Sequence, residues 1–290
     1  LISLKSEGPR SIRDMAQSGS GSTDLPERSC DDLAAIMFTS GTTGNEKGVM
    51  LTHSNIVSNI FMAGHKDLIY GRPDDVYYAL LPLHHIYTMT VCLGETILHG
   101  ASLLFARRIV TKEIIKDLKE GKVTMFIGIP LLYNKILKAL MREVRAKGTA
   151  VHLVFGFAMR ISGLIKKQLG WNLGALLFRS VLKKIGFDNL QAAICGGGPL
   201  SAETFRRYNE LGVNFVQGYG LTETSPILTL NPKHDYQYES VGKPLPMIDI
   251  QILEPDQQGN GEIIVKGPNV TQGYLHDEQH TRELFTQEGY

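Results

Sequence analysis

The stretch Thr39-Ser40-Gly41-Thr42-Thr43-Gly44-Asn45-Glu46-Lys47-Gly48 packs four hydroxyls, three glycines and a lysine into ten residues. Hydroxyls and bare backbone N–H groups donate hydrogen bonds to anionic oxygen. Glycine reaches positive φ, so successive N–H groups can converge on a polyphosphate, and Lys47 adds a point charge. The apolar run 34–38 leading into Thr39 reads as a strand, and 49–52 reads as a second. The run between them is therefore expected to form a hairpin-like flap over a triphosphate. A soluble Ser/Thr/Gly turn is the plain alternative, but such turns rarely concentrate so many donors beside a lysine. The run is not a P-loop. Counting from Gly41, Glu46 stands where that motif needs glycine, Gly48 follows Lys47 in place of a hydroxyl, and a strand rather than a helix comes next.

With 290 residues and 43% apolar content, the chain can bury a substantial core as one large domain or two lobes. A net charge of +1 argues against nucleic-acid binding by the chain as a whole. Cys30, Cys92 and Cys195 are far apart and form no C-x-x-C pair, which fits reduced thiols in a cytoplasmic protein. No apolar run is expected to approach the roughly 20 residues of a membrane-spanning helix. The start lacks both an initiator Met and a signal-peptide pattern, and no terminating element precedes Tyr290. The chain thus reads as a piece of a longer protein, cut at both ends.

Apolar, β-rich runs at 34–39, 76–81, 102–105, 124–127, 190–195 and 214–217 alternate with helical patterns at 54–69, 87–98, 112–119 and 202–211. Ser201 is the expected N-cap of the last helix, with Glu203 in its first turn. This alternation predicts an α/β fold, a largely parallel sheet covered by helices on both faces. After Pro232, strict alternation at 248–253, turn formers at 254–260 and an apolar run at 262–266 predict a β-hairpin, and 276–285 a short helix. The expected organisation is a polar N-terminal segment 1–30, an α/β body 31–231, and a smaller β lobe 232–290.

Pro130 opens an amphipathic helix with Tyr133, Leu137, Leu140 and Val144 on one stripe. Residues 138–184 then carry ten Lys/Arg against one acid, Glu143, a local charge of +9 that leaves −8 for the rest of the chain. Phe155, Phe157, Ile161, Leu164, Ile165, Leu169, Trp171, Leu176, Leu177 and Phe178 are interleaved with these charges. A solvated helical face, a face for anionic lipid and a site for a phosphorylated substrate such as coenzyme A all remain open.

Two further strings carry chemistry. Gly196-Gly197-Gly198-Pro199-Leu200 follows the 190–195 strand, where open α/β sheets place ligands against bare backbone; a strand-to-helix turn would need a glycine as well. Gln217-Gly218-Tyr219-Gly220-Leu221-Thr222-Glu223-Thr224 follows the next strand. It offers an aromatic face for a base, a hydroxyl, and a carboxylate of the kind that binds Mg²⁺ beside phosphates.

The first and last strings, in this order, resemble the phosphate-binding and YGxTE signatures of the adenylate-forming (AMP-binding) superfamily. That superfamily includes acyl-CoA synthetases, luciferases and the adenylation domains of peptide synthetases. The resemblance runs from Asp31 to Tyr290. It implies that Thr39, Ser40, Gly41, Thr42, Thr43, Gly44 and Lys47 wrap the β- and γ-phosphates of ATP. Gly196, Gly197 and Gly198 would line one face of adenine and Tyr219 the other, with Gln217, Gly218 and Gly220 in the same binding string. Thr222 would contact the α-phosphate and Glu223 would hold Mg²⁺. Residues 81–87, Leu-Pro-Leu-His-His-Ile-Tyr, resemble a third signature, in which His85 would lie beside the acyl site. Lys47, Thr222, Glu223 and His85 make up the implied catalytic set.

The implied reaction joins ATP and a carboxylic acid into acyl-adenylate and pyrophosphate, after which the thiol of coenzyme A takes the acyl group. The family's Thr-Gly-Asp motif, hinge and small C-terminal domain with its lysine do not occur in these 290 residues, which alone are expected to turn over little or nothing. The insertion at 138–184 resembles that of long-chain fatty acyl-CoA synthetases, which makes a long-chain fatty acid the expected substrate and a membrane surface an expected partner. A fatty acyl-AMP or acyl-carrier-protein ligase, or a non-catalytic nucleotide-binding module, are the alternatives; intact Lys47 and Glu223 count against the last.

Overall fold

Backbone pairing starts at the hairpin that flanks the glycine-rich run. Strands β1 (Leu33–Thr39) and β2 (Lys47–Thr52) are antiparallel, with Thr39 opposite Lys47 and Phe38 opposite Gly48. A computed structural model describes residues 26–39, 46–65, 68 and 70–290. The strands on both sides of the flap are as expected, while its residues Ser40, Gly41, Thr42, Thr43 and Gly44 lie outside the described residues.

A seven-stranded sheet forms the body. Its strands are β3 (Val76–Ala79), β4 (Ser102–Phe105), β5 (Met125–Gly128), β6 (Ala192–Cys195), β7 (Phe215–Gly220), β8 (Ile227–Leu230) and β9 (Lys243–Pro244), in the order β4-β3-β5-β6-β7-β8-β9. The strands from β4 to β7 pair in parallel, and β8 and β9 close the far edge antiparallel. Successive side chains of a strand point to opposite faces, so each central strand feeds two cores. Tyr78, Phe126, Ala193 and Phe215 enter a core made with the Thr111–Glu120, Pro130–Ala146 and Ala202–Glu210 helices. Tyr77, Met125, Ala192 and Val216 enter the opposite one, shared with the His53–Ala63 helix and the helical run 86–99. The fold is α/β with a mainly parallel sheet covered on both faces.

Local signals behave as their chemistry requires. Ser201 Oγ accepts from Thr204 N at 3.2 Å and caps the Ala202–Glu210 helix. The helix expected at 54–69 stops at Ala63, before Gly64. The expected 87–98 helix is present, but its middle turn, Met89–Gly94, is a π-helix. Strand β8 had no counterpart in the sequence reading. After Pro232, strands β10 (Asp249–Leu253) and β11 (Glu262–Lys266) form the expected hairpin as a sheet of their own. Strand β9 joins the main sheet, and β12 (Gly273–Tyr274) pairs with β2.

The insertion folds as the end of the Pro130–Ala146 helix followed by helices Thr149–Leu169, Leu173–Leu177 and Arg179–Ile185. Thr149–Leu169 corrects one expectation, because it is long and apolar enough, by length and composition, to cross a membrane. The scattered Arg160, Lys166 and Lys167 disguise that run in the sequence. Three residues grouped with the exposed basic and aromatic set also turn inward: Phe178 is buried, Phe155 packs against the first core, and Lys166 is buried. Lys166 Nζ donates to Asn209 Oδ1 at 3.0 Å and to the Val213 carbonyl at 2.8 Å. Beside it the backbones meet closely: a Cβ on Gly174 would come within 2.7 Å of Gly212 N, and one on Gly212 within 2.0 Å of Ala175 N.

Burial lowers the Lys166 amine from its ordinary 10.5 to about 7, because desolvation disfavours the charged form. Across the window from about 7 to 10.5 the unfolded chain carries the proton that the folded chain has lost, so stability rises with pH there. The difference in urea midpoint between the wild type and Lys166→Met is expected to shift in favour of the wild type as pH rises through that window. A difference independent of pH would place the amine in water.

Candidate nucleotide-binding site

The carboxyl ends of β6 and β7 open onto a cavity of about 290 Å³, lined by Gly196 and Gly197 on one side and Gly218, Tyr219, Gly220 and Thr222 on another. Both glycine clusters singled out in the sequence therefore face one space. Two of these glycines are closely approached by neighbours, and at Gly220 the approach leaves no room for a side chain. A Cβ on Gly196 would press to 3.1 Å on the Tyr87 ring, and one on Gly220 would sit 1.8 Å from the Pro226 carbonyl. His85 also lines the cavity. It precedes Ile86 at the head of the 86–99 run, its ring centroid 4.5 Å from that of His84. Gly198 and the buried Gln217 are adjacent in the chain but do not line the cavity. Cys195 does, and burial pushes its thiol up to about 12, so it stays protonated and is no nucleophile.

Lys47 and Glu223 meet through a residue that the sequence did not single out. Tyr274 Oη donates to Glu223 Oε1 at 2.9 Å, and Lys47 Nζ lies 4.9 Å from the centroid of the Tyr274 ring. A cation over an aromatic face and a phenol on a carboxylate are both attractive contacts. One tyrosine thus holds the lysine of the flap and the carboxylate of the Thr222–Thr224 turn in the same place. Tyr274 is set by β12, which pairs with β2, and it packs with Val49, Leu51 and Ile86 in a small core. That core joins the hairpin to the head of the 86–99 run, and the Tyr274 hydroxyl links it to the carboxylate turn.

Buried amides fix the turn itself. Thr224 O accepts from Asn269 Nδ2 at 2.6 Å, and Ile227 O accepts from Asn59 Nδ2 at 2.7 Å. Asn59 Oδ1 accepts from Ile227 N at 3.1 Å, and Thr90 Oγ1 donates to the Ser225 carbonyl at 3.0 Å. Glu223 O accepts from Thr271 N at 2.8 Å. With its backbone held from three directions, the turn presents Thr222 and Glu223 in one arrangement.

The donor set at Glu223 is sparse. The described residues hold no group of three or more His, Cys, Asp or Glu placed to share an ion. One carboxylate beside a hydroxyl suits Mg²⁺, which takes one or two protein oxygens and completes its shell from substrate phosphates and water. It does not suit zinc, which needs three or four protein ligands.

The AMP-binding enzyme family matches residues 3–275. The chain belongs to that family. It is 34% identical over 277 residues to human long-chain-fatty-acid–CoA ligase 1, covering 90% of this chain and 38% of that protein. It is 30% identical to the peroxisomal long chain acyl-CoA synthetase 6 of Arabidopsis thaliana, with the same coverage. The chain therefore spans 38% of the length of these relatives. Among solved structures, ATP-bound MatB from Rhodopseudomonas palustris matches with a TM-score of 0.72 and 27% identity, over 96% of this chain and 48% of that one. A malonyl-CoA ligase product complex with methylmalonyl-CoA and AMP, 22% identical with a TM-score of 0.68, shares the fold.

In this AMP-binding chain the turn depends on amides remote in sequence. Asn269→Ala leaves the Thr224 carbonyl with only the 3.5 Å contact from Asn59 Nδ2 and is expected to destabilise the turn by about 1–3 kcal/mol. Amide hydrogen exchange should accelerate at 222–227 while β5 and β6 keep their protection. Unchanged exchange at the turn would show that Asn59 suffices.

Proposed function

We propose that this chain carries the adenylation site of a long-chain fatty acid–CoA ligase, which converts a fatty acid and ATP to acyl-adenylate and pyrophosphate and then passes the acyl group to coenzyme A. The observation that carries the reading is the convergence of Lys47, Glu223 and the cavity beside Tyr219 at one edge of the sheet. In this reading Lys47 and the flap donors from Thr39 to Gly44 hold the β- and γ-phosphates. Adenine lies between the 196–198 glycines and the Tyr219 ring, and Thr222 faces the α-phosphate. Glu223 is the residue that would hold Mg²⁺; that ion, when bound, offsets negative charge on the phosphates.

The chemistry explains why such a site is needed. A carboxylate is a poor acyl donor because its leaving group would be oxide, whereas the adenylate leaves as AMP. The protein contributes in-line placement of the carboxylate and neutralisation of charge growing at the α-phosphorus. With Cys195 protonated, this cavity supplies no thiolate to attack the acyl-adenylate, in keeping with a diffusible acceptor thiol. His85, with Leu81 and Val91, lines the cavity where an acyl group would enter. Long-chain ligases at 30–34% identity support the choice of acid and acceptor. The full-length protein would work in the cytoplasm, peripheral to a membrane that supplies its substrate.

ATP–pyrophosphate exchange by the full-length protein with palmitate tests the reading. Lys47→Ala is expected to slow exchange on the order of 10²–10³-fold, and a near-normal rate would remove Lys47 from the phosphate site. With coenzyme A and acyl carrier protein supplied together, the thioester should form on coenzyme A. A product that stops at acyl-adenylate, or loads the carrier alone, would replace this reading with a fatty acyl-AMP or carrier-protein ligase.

A further inference from the structure

The Thr149–Leu169 helix has two faces of different kind. Its inner face is Met159, Ser162, Gly163 and Lys166, all buried. Its outer face carries Leu153, Val154, Phe157, Ile161 and Leu164, each between 42% and 69% exposed. At 100° per residue these five fall within one arc of about 100°, with Arg160 at its border. Past the helix, Trp171, Leu176 and Leu177 are 62–72% exposed. So large an apolar surface marks an interaction site.

Charge selects the occupant. No Asp or Glu occurs from residue 149 to 187. Arg160, Arg179 and Lys183 are exposed and form no ion pair with the described residues, while Lys184 pairs with Glu143 and Lys167 lies over Tyr238. A second copy of the same face would set like charges against each other. A sheet of anionic headgroups over hydrocarbon satisfies both the cations and the apolar side chains.

We infer that residues 149–183 form a docking face for an anionic phospholipid surface, with the Thr149–Leu169 helix lying in the plane of the interface. Spanning the bilayer would require Lys166 to leave Asn209 and Val213, and Gly163 to leave its close packing against Glu210. The face stands apart from the nucleotide cavity, and the inference does not depend on which acid is activated.

The full-length protein should co-sediment with vesicles of phosphatidylcholine and phosphatidylglycerol more than with phosphatidylcholine alone, and less as salt rises. The double variant Phe157→Ser/Leu164→Ser is expected to weaken that binding at least about tenfold, and Arg179→Glu/Lys183→Glu to remove the preference for phosphatidylglycerol. Each variant should retain wild-type ATP–pyrophosphate exchange in detergent, which reports an intact fold. Trp171, the one tryptophan of these 290 residues, supplies a second readout. The fluorescence lost in Trp171→Phe should be quenched by brominated lipid in the wild type. Absence of vesicle binding, binding undiminished in the serine variant, or a Trp171 already shielded from iodide without lipid would overturn the inference; the last would assign the face to another part of the protein or a second copy.

Discussion

The phenol of Tyr274 is the contact on which the site depends. Its oxygen meets the carboxylate of Glu223 and its ring lies under the ammonium of Lys47, so two groups of opposite charge are held close without neutralising each other directly. A direct ion pair would leave neither side chain available to a phosphate or a metal. A tyrosine between them keeps both oriented and leaves the second carboxylate oxygen and the ammonium protons for a ligand. The hairpin, β12 and the Thr222–Thr224 turn are all arranged around that one side chain.

Sheet topology makes this possible. From β4 to β7 every strand runs the same way, and the connections return through helices, so the ligand edge collects only strand ends. Between β7 and β8 the rule changes: the chain turns at the ligand edge and comes back antiparallel. The turn made there carries Thr222 and Glu223, and it is short because a single 3-10 turn, Thr222–Thr224, replaces the returning α-helix. The bend satisfies the carbonyls of Leu221, Thr222 and Pro226 internally, and Asn269 and Asn59 supply donors to those of Thr224 and Ile227 from elements far off in sequence.

What could be read in advance divides along the range of the interactions. Short apolar runs placed β4 and β11 at their observed bounds, because a strand's apolar content is carried by consecutive residues between polar or turn-forming neighbours. The Ser201 cap was legible because its partner is three residues away. The glycine clusters, Tyr219, Thr222 and Glu223 stood out as dense local strings, and the structure gathers them at one edge. Tyr274 was invisible: a lone tyrosine 51 residues from its carboxylate carries no local signal. The same holds for Asn59, 168 residues from its acceptor. Lys166 misled for the opposite reason. It sits in a basic segment, and nothing nearby announces that Asn209 and Val213 will enclose it.

The glycines between the insertion and the body have a consequence for how this protein can vary. Where Gly174 and Gly212 let backbone lie on backbone, even one added carbon collides with main-chain atoms that cannot rotate away. Leu153, Phe157, Trp171 and Leu176 touch no such limit and can be exchanged freely as far as the fold is concerned. Drift in this region is thus channelled outward. Substitution can restyle the exterior of the helical cap for new surroundings, while its seating on residues 209–213 leaves no room for change.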